Sequence, residues 1–172
     1  MSMAQPGRAV HVRLPPHVIE YHGSFVLPAP PGQVWAGIAR FDSYEQWWGW
    51  LRELRVEGSG LQAGSILRGT VVPPLPYRIR IEVRLLECTA PRTIRATVAG
   101  DLRGHARLRL TPLGSDQTRA DIRWTIEMMQ PPMRLVARFA RHILLWGHDR
   151  VVEATVVGFS RHLTENPGED RA

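Results

Sequence analysis

Hydrophobic and polar positions change their period along this chain, and the changes divide it into elements. Residues 1–17 are polar and broken by proline, which predicts an extended N-terminal arm. From Val18 to Leu27 the chain alternates. Ile19, Tyr21, Phe25 and Leu27 share one face, and Glu20, His22 and Ser24 the other. That period of two predicts a strand with one buried face. Pro28, Pro30 and Pro31 end it, and Pro31 can open a helix because a first-turn N–H needs no partner. Val34, Trp35 and Ile38 have helical spacing up to about Arg40. Asp42 or Ser43 is the expected N-cap of a second short helix, which carries Trp47 and Trp48 and stops near Gly49.

From Leu51 to Met129 the period is two throughout, with Leu54 and Val56 at its start. Turns fall at Gly58-Ser-Gly60, Gly64, Gly100-Asp101 and Gly114-Ser-Asp116. Pro73-Pro-Leu-Pro76 stops a strand over Ile66–Val72; this stiff apolar loop is a lid at a pocket mouth, a membrane-touching tip or a plain connector. Ile79, Ile81, Val83 and Leu85 alternate with Arg78, Arg80, Glu82 and Arg84. Ile94, Ala96 and Val98 supply another inner face. So do Ala106, Leu108 and Leu110, then Ile122, Trp124, Ile126 and Met128. These strands predict an antiparallel meander, wet on one side and dry on the other.

After Pro131-Pro132 the period becomes helical to about Leu163. The expected inward stripe is Leu135, Val136, Phe139, Ala140, Ile143, Leu144, Gly147, Val151 and Ala154. Only this helix is large enough to cover the dry face. The predicted order is one strand, two short helices, six strands and a long helix, in a single domain over 18–163, followed by a disordered tail at 164–172.

Composition changes this picture little. The chain is 44% apolar and 22% charged, an ordinary globular mixture. No apolar run reaches the ~20 residues of a membrane span, and residues 1–16 lack the apolar region of a signal peptide. Cys88 is alone, so a cytoplasmic protein is expected. All 22 basic residues are arginine and the net charge is +6. Arg78, Arg80, Arg84, Arg95, Arg107, Arg109 and Arg123 share the outward parity, with Glu82, Asp121 and Glu127 among them. This comb is either a solvated face with cross-strand charge pairs or a contact surface for anionic membrane or an acidic protein. Without a binding motif, no nucleic-acid partner is expected.

Two stretches are the most specific. Val26-Leu-Pro-Ala-Pro-Pro-Gly-Gln-Val-Trp35 is followed by Phe41-Asp-Ser-Tyr-Glu-Gln-Trp-Trp48. With the terminal amphipathic helix, they resemble the opening and close of the START-like, helix-grip (SRPBCC) superfamily, in its polyketide cyclase/dehydrase and lipid-transport branch. The resemblance spans about Val18 to Leu163. It implies an α+β helix-grip fold: a curved antiparallel sheet of about seven strands wrapped around one long C-terminal helix, with two short helices after the first strand. It also implies a cavity for a small hydrophobic molecule such as a lipid, polyketide, quinone or aromatic metabolite. The residues expected to line it are Trp47, Ile79, Ile81, Val83, Ile94, Ala96, Leu108, Trp124, Ile126 and Met128, with Phe139, Ile143 and Gly147 from the helix. Periodicity alone favours a solid core at these positions, and it is the resemblance that turns the expectation toward a cavity.

Chemistry is sparse in the sequence. Aromatase/cyclase relatives place a Ser, an Arg and a Tyr in the pocket, where this chain reads Ile81, Val83, Leu85 and about Leu54. The resemblance therefore implies a binder or carrier first, and a cyclase/dehydrase enzyme as the alternative. Tyr21, Tyr77 and His148 are candidate polar contacts, each also readable as structural; His148 and His105 are expected to be exposed. His148 and Asp149 are adjacent, which places them on different helix faces. His142 and His148 are six apart and Cys88 is alone, which fits no metal-ligand spacing. No glycine-rich phosphate motif and no G-x-S-x-G is present, so neither metal nor cofactor is expected. The discriminating observation is whether two or more ionisable side chains converge inside the cavity.

Overall fold

The computed structural model describes residues 15–73 and 77–165. Residues 1–14 of the expected arm, 74–76 of the proline loop, the side chain of Leu144 and 166–172 of the expected tail lie outside the described residues. The elements are β1 (Val18–Leu27), α1 (Pro31–Ala39), a 3-10 turn (Phe41–Ser43), α2 (Tyr44–Trp47), β2 (Leu51–Glu57) and β3 (Ile66–Val71). They continue with β4 (Ile79–Thr89), β5 (Thr93–Gly100), β6 (Leu102–Leu113), β7 (Gln117–Met128) and α3 (Pro131–Glu165). Thr164 and Glu165 thus continue the helix rather than begin a tail.

The strands form one antiparallel sheet in the order β1-β7-β6-β5-β4-β3-β2. β2 to β7 run as a meander, and β1 pairs along its whole length with β7, from Val18 opposite Glu127 to Leu27 opposite Thr118. The first strand therefore lies beside the last, and α3 covers the concave side. This is the helix-grip architecture that the resemblance implies.

Local chemistry explains how α1 and α2 enter. Pro30 is extended and Pro31 occupies the first helical turn. Thr118, fully buried on β7, donates its hydroxyl to the Ala29 carbonyl at 2.7 Å, which ties this proline-rich entry to the sheet. Ser43 does not cap α2 as expected. It is already helical in backbone, because the 3-10 turn runs straight into α2, and its hydroxyl donates back to the Arg40 carbonyl at 2.8 Å. The Tyr44 hydroxyl donates to the Ile38 carbonyl at 2.6 Å, and burial pushes its pKa up, so the phenol stays protonated. β2 begins three residues earlier than Leu54. Glu53 at φ 56 and a register slip between Arg52 and Arg55 make a bulge there.

α3 differs from the expected stripe. It is kinked at Ala140 (φ −135, ψ 40). Before the kink, Met133 and Ala137 face inward and are almost fully buried. Leu135, Val136, Phe139 and Ile143 are exposed, Phe139 to 74%. The first turns carry apolar residues on two faces, and the kink lets the narrower Met133–Ala137 face take the core. Gly158 has a separate role. A Cβ there would lie 2.3 Å from the Trp47 carbonyl oxygen, so only glycine allows α3 to approach α2 this closely.

The space between sheet and α3 is packed unevenly. One core cluster joins Leu27, Val34, Leu110, Ala120, Phe159 and Leu163, with Trp35, Trp47 and Leu108 against it. A second joins Ile19, Met128, Met133 and Ala137, with Tyr77, Ile79, Leu102 and Ile126 around it. The first is solid. The second borders a void.

Candidate functional site

That void is a cavity of about 350 Å³ between the sheet and α3. β4 contributes Ile79, Ile81 and Val83 to its wall, and β7 contributes Ile122, Trp124, Ile126 and Met128. Val98, Leu102 and Ala106 lie between them, and Ile19 comes from β1. α3 contributes Met133, Gly147, His148, Val151, Val152, Thr155 and Val156. Trp48, Val71, Pro73 and Tyr77 complete it. The inward parity of each strand supplies one row of side chains, and α3 supplies the opposite wall. Among the described residues, no Asp, Glu or Arg side chain lines it.

One end carries a polar cluster. The Trp124 indole N–H donates to His148 Nε2 at 3.1 Å. Nε2 is therefore an acceptor, and the ring proton sits on Nδ1, which donates to Asp149 Oδ1 at 3.2 Å. Burial lowers the His148 pKa from its ordinary value, with the Asp149 hydrogen bond and charge opposing that shift. The ring is neutral at pH 7. Tyr21 packs the cluster from the sheet side. Its ring stacks on Trp124 at 4.6 Å and meets His148 edge-on at 5.1 Å. Tyr21 folds over Gly23, where a Cβ would lie 2.3 Å from its hydroxyl. Burial, then the Asp149 charge, raises the Tyr21 pKa; burial raises that of Tyr77. Both phenols are thus protonated at neutral pH.

Of the sequence-expected lining residues, Ile79, Ile81, Val83, Trp124, Ile126, Met128 and Gly147 face the cavity. Trp47 does not; Trp48 takes that place. α2 is one turn long, so Trp48 leaves the helix and its ring reaches the cavity. Trp47 turns onto Phe159, with ring centroids 5.0 Å apart, and borders an outer groove with Trp50 and Arg161. The indole N–H groups of Trp47 and Trp48 are both buried without a partner among the described residues. Leu108 packs into the solid cluster and Ile94 is its cross-strand neighbour, so neither reaches the void. Ala96 is buried between Leu85 and Ala106 but does not line it. Phe139 and Ile143 are exposed because of the kink.

The polar candidates also separate. Tyr77 and His148 line the cavity, while Tyr21 backs Trp124 from outside the lining. His148 is not exposed: its side chain is only 12% accessible. It does reach Asp149, because a long ring edge and a carboxylate can meet around the helix although their Cβ atoms diverge. His105 is exposed as expected. Val98, Ala106 and Ile122 had the correct parity in the sequence. Val152, Thr155 and Val156 had no such signal, since the kink sets which face of α3 turns inward.

On the convex side the arginine comb is exposed. Ion pairs form at Arg84–Glu82 (3.7 Å), Arg95–Glu87 (3.4 Å) and Arg80–Asp101 (3.8 Å). The expected cross-strand charge pairing fails at Arg107. Arg107 stands directly opposite Arg95 on one side and Arg123 on the other.

A family model described as polyketide cyclase / dehydrase and lipid transport matches residues 18–157. The chain belongs to this family. Its fold recurs in solved structures of low sequence identity. A protein from Thermus thermophilus has a TM-score of 0.71 at 17% identity, covering 87% of this chain and 100% of its own. The Zhui aromatase/cyclase from a Streptomyces species has a TM-score of 0.72 at 15% identity, covering 91% and 99%. Norcoclaurine synthase from Thalictrum flavum has a TM-score of 0.58 at 14% identity, covering 85% and 93%. These likenesses concern the fold alone. A search of curated proteins finds no match. Among the described residues no helix is long and apolar enough to cross a membrane, and no cluster of three His, Cys, Asp or Glu side chains could hold a metal.

Proposed function

We propose that this family member binds and carries a small hydrophobic molecule in the cavity between sheet and α3. The observation that carries this reading is the cavity itself. It is about 350 Å³, within the ~300–1,000 Å³ of ligand pockets, and its wall is apolar except at Trp48, Tyr77, Trp124, His148 and Thr155. Lipids, quinones and aromatic polyketides are the candidate classes. A lone thiol at Cys88 fits a cytoplasmic carrier.

Native mass spectrometry of the protein purified from its own host tests this. A co-purifying hydrophobic molecule is expected. Its persistent absence, with no thermal shift from a panel of those three classes, would overturn the proposal. Trp124→Arg is expected to weaken binding as well as stability, because it puts a charge into the wall.

A second reading is a cyclase/dehydrase-type enzyme using the same cavity. The bonded His148–Asp149 pair at the wall favours it, since such a pair can serve a general base. The Trp124 N–H stands against it: His148 Nε2 already accepts that proton donor, so the neutral ring has no free lone pair. Tyr77 and His148 are ionisable and both line the cavity, but they stand among different neighbours, Tyr77 beside the second core cluster and His148 beside Tyr21 and Trp124. Turnover of a polyketide-like substrate that His148→Gln abolishes would establish the enzyme.

A further inference from the structure

We infer that the cavity is selective for charge: it takes an uncharged molecule bearing a hydrogen-bond acceptor and rejects free carboxylates and sulfonates. This rests on the proposal that the cavity is the ligand site. The first ground is its wall. A carboxylate inside would need a counter-charge, and among the described lining residues there is no arginine. The described arginines all lie outside this lining, and residues 74–76, beside the lining residues Pro73 and Tyr77, are Pro-Leu-Pro in sequence. In an apolar site an unpaired charge loses its hydration without compensation.

The second ground is what the polar groups of the wall already do. His148 could in principle meet an acid by taking a proton. Its two nitrogens are committed, Nε2 to the Trp124 N–H at 3.1 Å and Nδ1 to Asp149 at 3.2 Å. The negative charge of Asp149 beside it would repel an anion as well. The Thr155 hydroxyl donates to the Val151 carbonyl at 2.6 Å. What remains is the Tyr77 hydroxyl, which no described residue engages. The Trp48 indole N–H also lacks a described partner but is itself fully buried, so it is not open to a ligand. The Tyr77 hydroxyl is a hydrogen-bond donor without charge. It suits a ketone, quinone or ester oxygen. A fatty acid or a polyketide acid would therefore enter only with its carboxyl masked as an ester or thioester.

The experiment uses two fluorescent probes that differ by one group, phenylnaphthylamine and its sulfonate, anilinonaphthalene sulfonate. Phenylnaphthylamine is expected to bind and brighten. The sulfonate is expected to bind the same site at least about a hundredfold more weakly, since it must desolvate an unpaired charge. Sulfonate fluorescence that phenylnaphthylamine does not displace lies on the arginine-rich surface, and it supports the inference because the cavity has not admitted the anion. Mutual displacement at similar affinity would overturn the charge selectivity while leaving the cavity as the ligand site. Binding of neither probe, together with an empty native mass spectrum, would overturn the ligand site itself. Acetylnaphthalene, an uncharged ketone, tests the acceptor. Tyr77→Phe should raise the concentration at which it displaces phenylnaphthylamine by roughly 3- to 10-fold, the range of one lost hydrogen bond, after correction for any change in the affinity for phenylnaphthylamine itself. An unchanged ratio of ketone to phenylnaphthylamine affinity in Tyr77→Phe would remove the acceptor from the proposal.

Discussion

The hydrogen bond between Trp124 and His148 can be weighed by a double-mutant cycle. Trp124→Phe keeps a ring against Tyr21, which stacks at 4.6 Å, but removes the donor 3.1 Å from Nε2. His148 Nε2 is then left in a largely buried ring without a partner. Such an orphaned group costs about 1–3 kcal/mol. His148→Leu fills similar space and orphans the Trp124 N–H instead, at a similar cost of about 1–3 kcal/mol. Asp149 loses its partner at the surface, where its side chain is 72% exposed and water replaces the bond. The double variant has neither polar group. It should therefore be less destabilised than the sum of the single variants, with a coupling energy on the order of 1 kcal/mol. Urea denaturation at pH 7.5, with the slope m unchanged across the four proteins, measures this. Each kilocalorie corresponds to about 2–4 °C in Tm for a chain of this size. Additivity within ~0.3–0.5 kcal/mol would refute the bond as the force that holds the indole against α3.

Three further outcomes follow from other residues. Because burial lowers the His148 pKa, the folded ring refuses a proton that the unfolded one accepts below about pH 6.5. This part of the stability is full above that pH and falls as pH drops from there toward the lower folded value. Chemical denaturation at pH 7.5 and 5.5 should show a shallower decline in His148→Gln, and an unchanged decline would assign the effect to other groups. Arg107→Glu should stabilise the protein at low salt by about 0.4–2 kcal/mol, because it converts two like-charge cross-strand pairs, with Arg95 and Arg123, into opposite-charge pairs. The gain should shrink in 1 M salt, where screening acts over ~3 Å; a salt-independent gain would refute the electrostatic cause. Thr118→Val keeps the shape but orphans the Ala29 carbonyl, which should cost about 1–3 kcal/mol by urea denaturation, whereas Thr118→Ser, which keeps the hydroxyl, should cost about 0.8 kcal/mol for the lost methyl.

The strands were legible because their period is two and a buried face cannot slip by one residue without reversing every side chain. β1 was read to its true limits, and the inward parity put Ile79, Ile81, Val83, Trp124, Ile126 and Met128 on the face that borders the cavity. Parity could not say how far along each strand the cavity extends. Ile94 and Leu108 have the inward parity but stand where Phe159 and Leu163 make the interior solid. The helix was less legible. A strand has two faces and a helix offers a continuum, so α3 could present either Met133–Ala137 or Leu135–Phe139, and only the kink at Ala140 decided. The exchange of Trp47 for Trp48 has the same origin. A one-turn helix gives no period from which to infer an orientation. His148 was misread because its partner, Trp124, is 24 residues away on a strand that the sequence could not bring next to α3 in register.

The choice between carrier and enzyme reduces to the availability of one lone pair. His148 already has the carboxylate that would orient it and the neutral state that would let it act as a base. What it lacks is a free Nε2. As long as the Trp124 N–H occupies that atom, the ring is an internal strut that fixes the cavity wall and has no lone pair to offer a ligand. Catalysis would require a substrate that displaces the indole, breaking a bond whose strength the cycle measures. A large coupling energy makes that displacement costly and keeps His148 structural. A vanishing one means that the indole is easily moved, and His148 would then face the ligand with a free lone pair. The same pair of variants therefore tests the cavity wall and whether His148 can serve as the base of the enzyme reading.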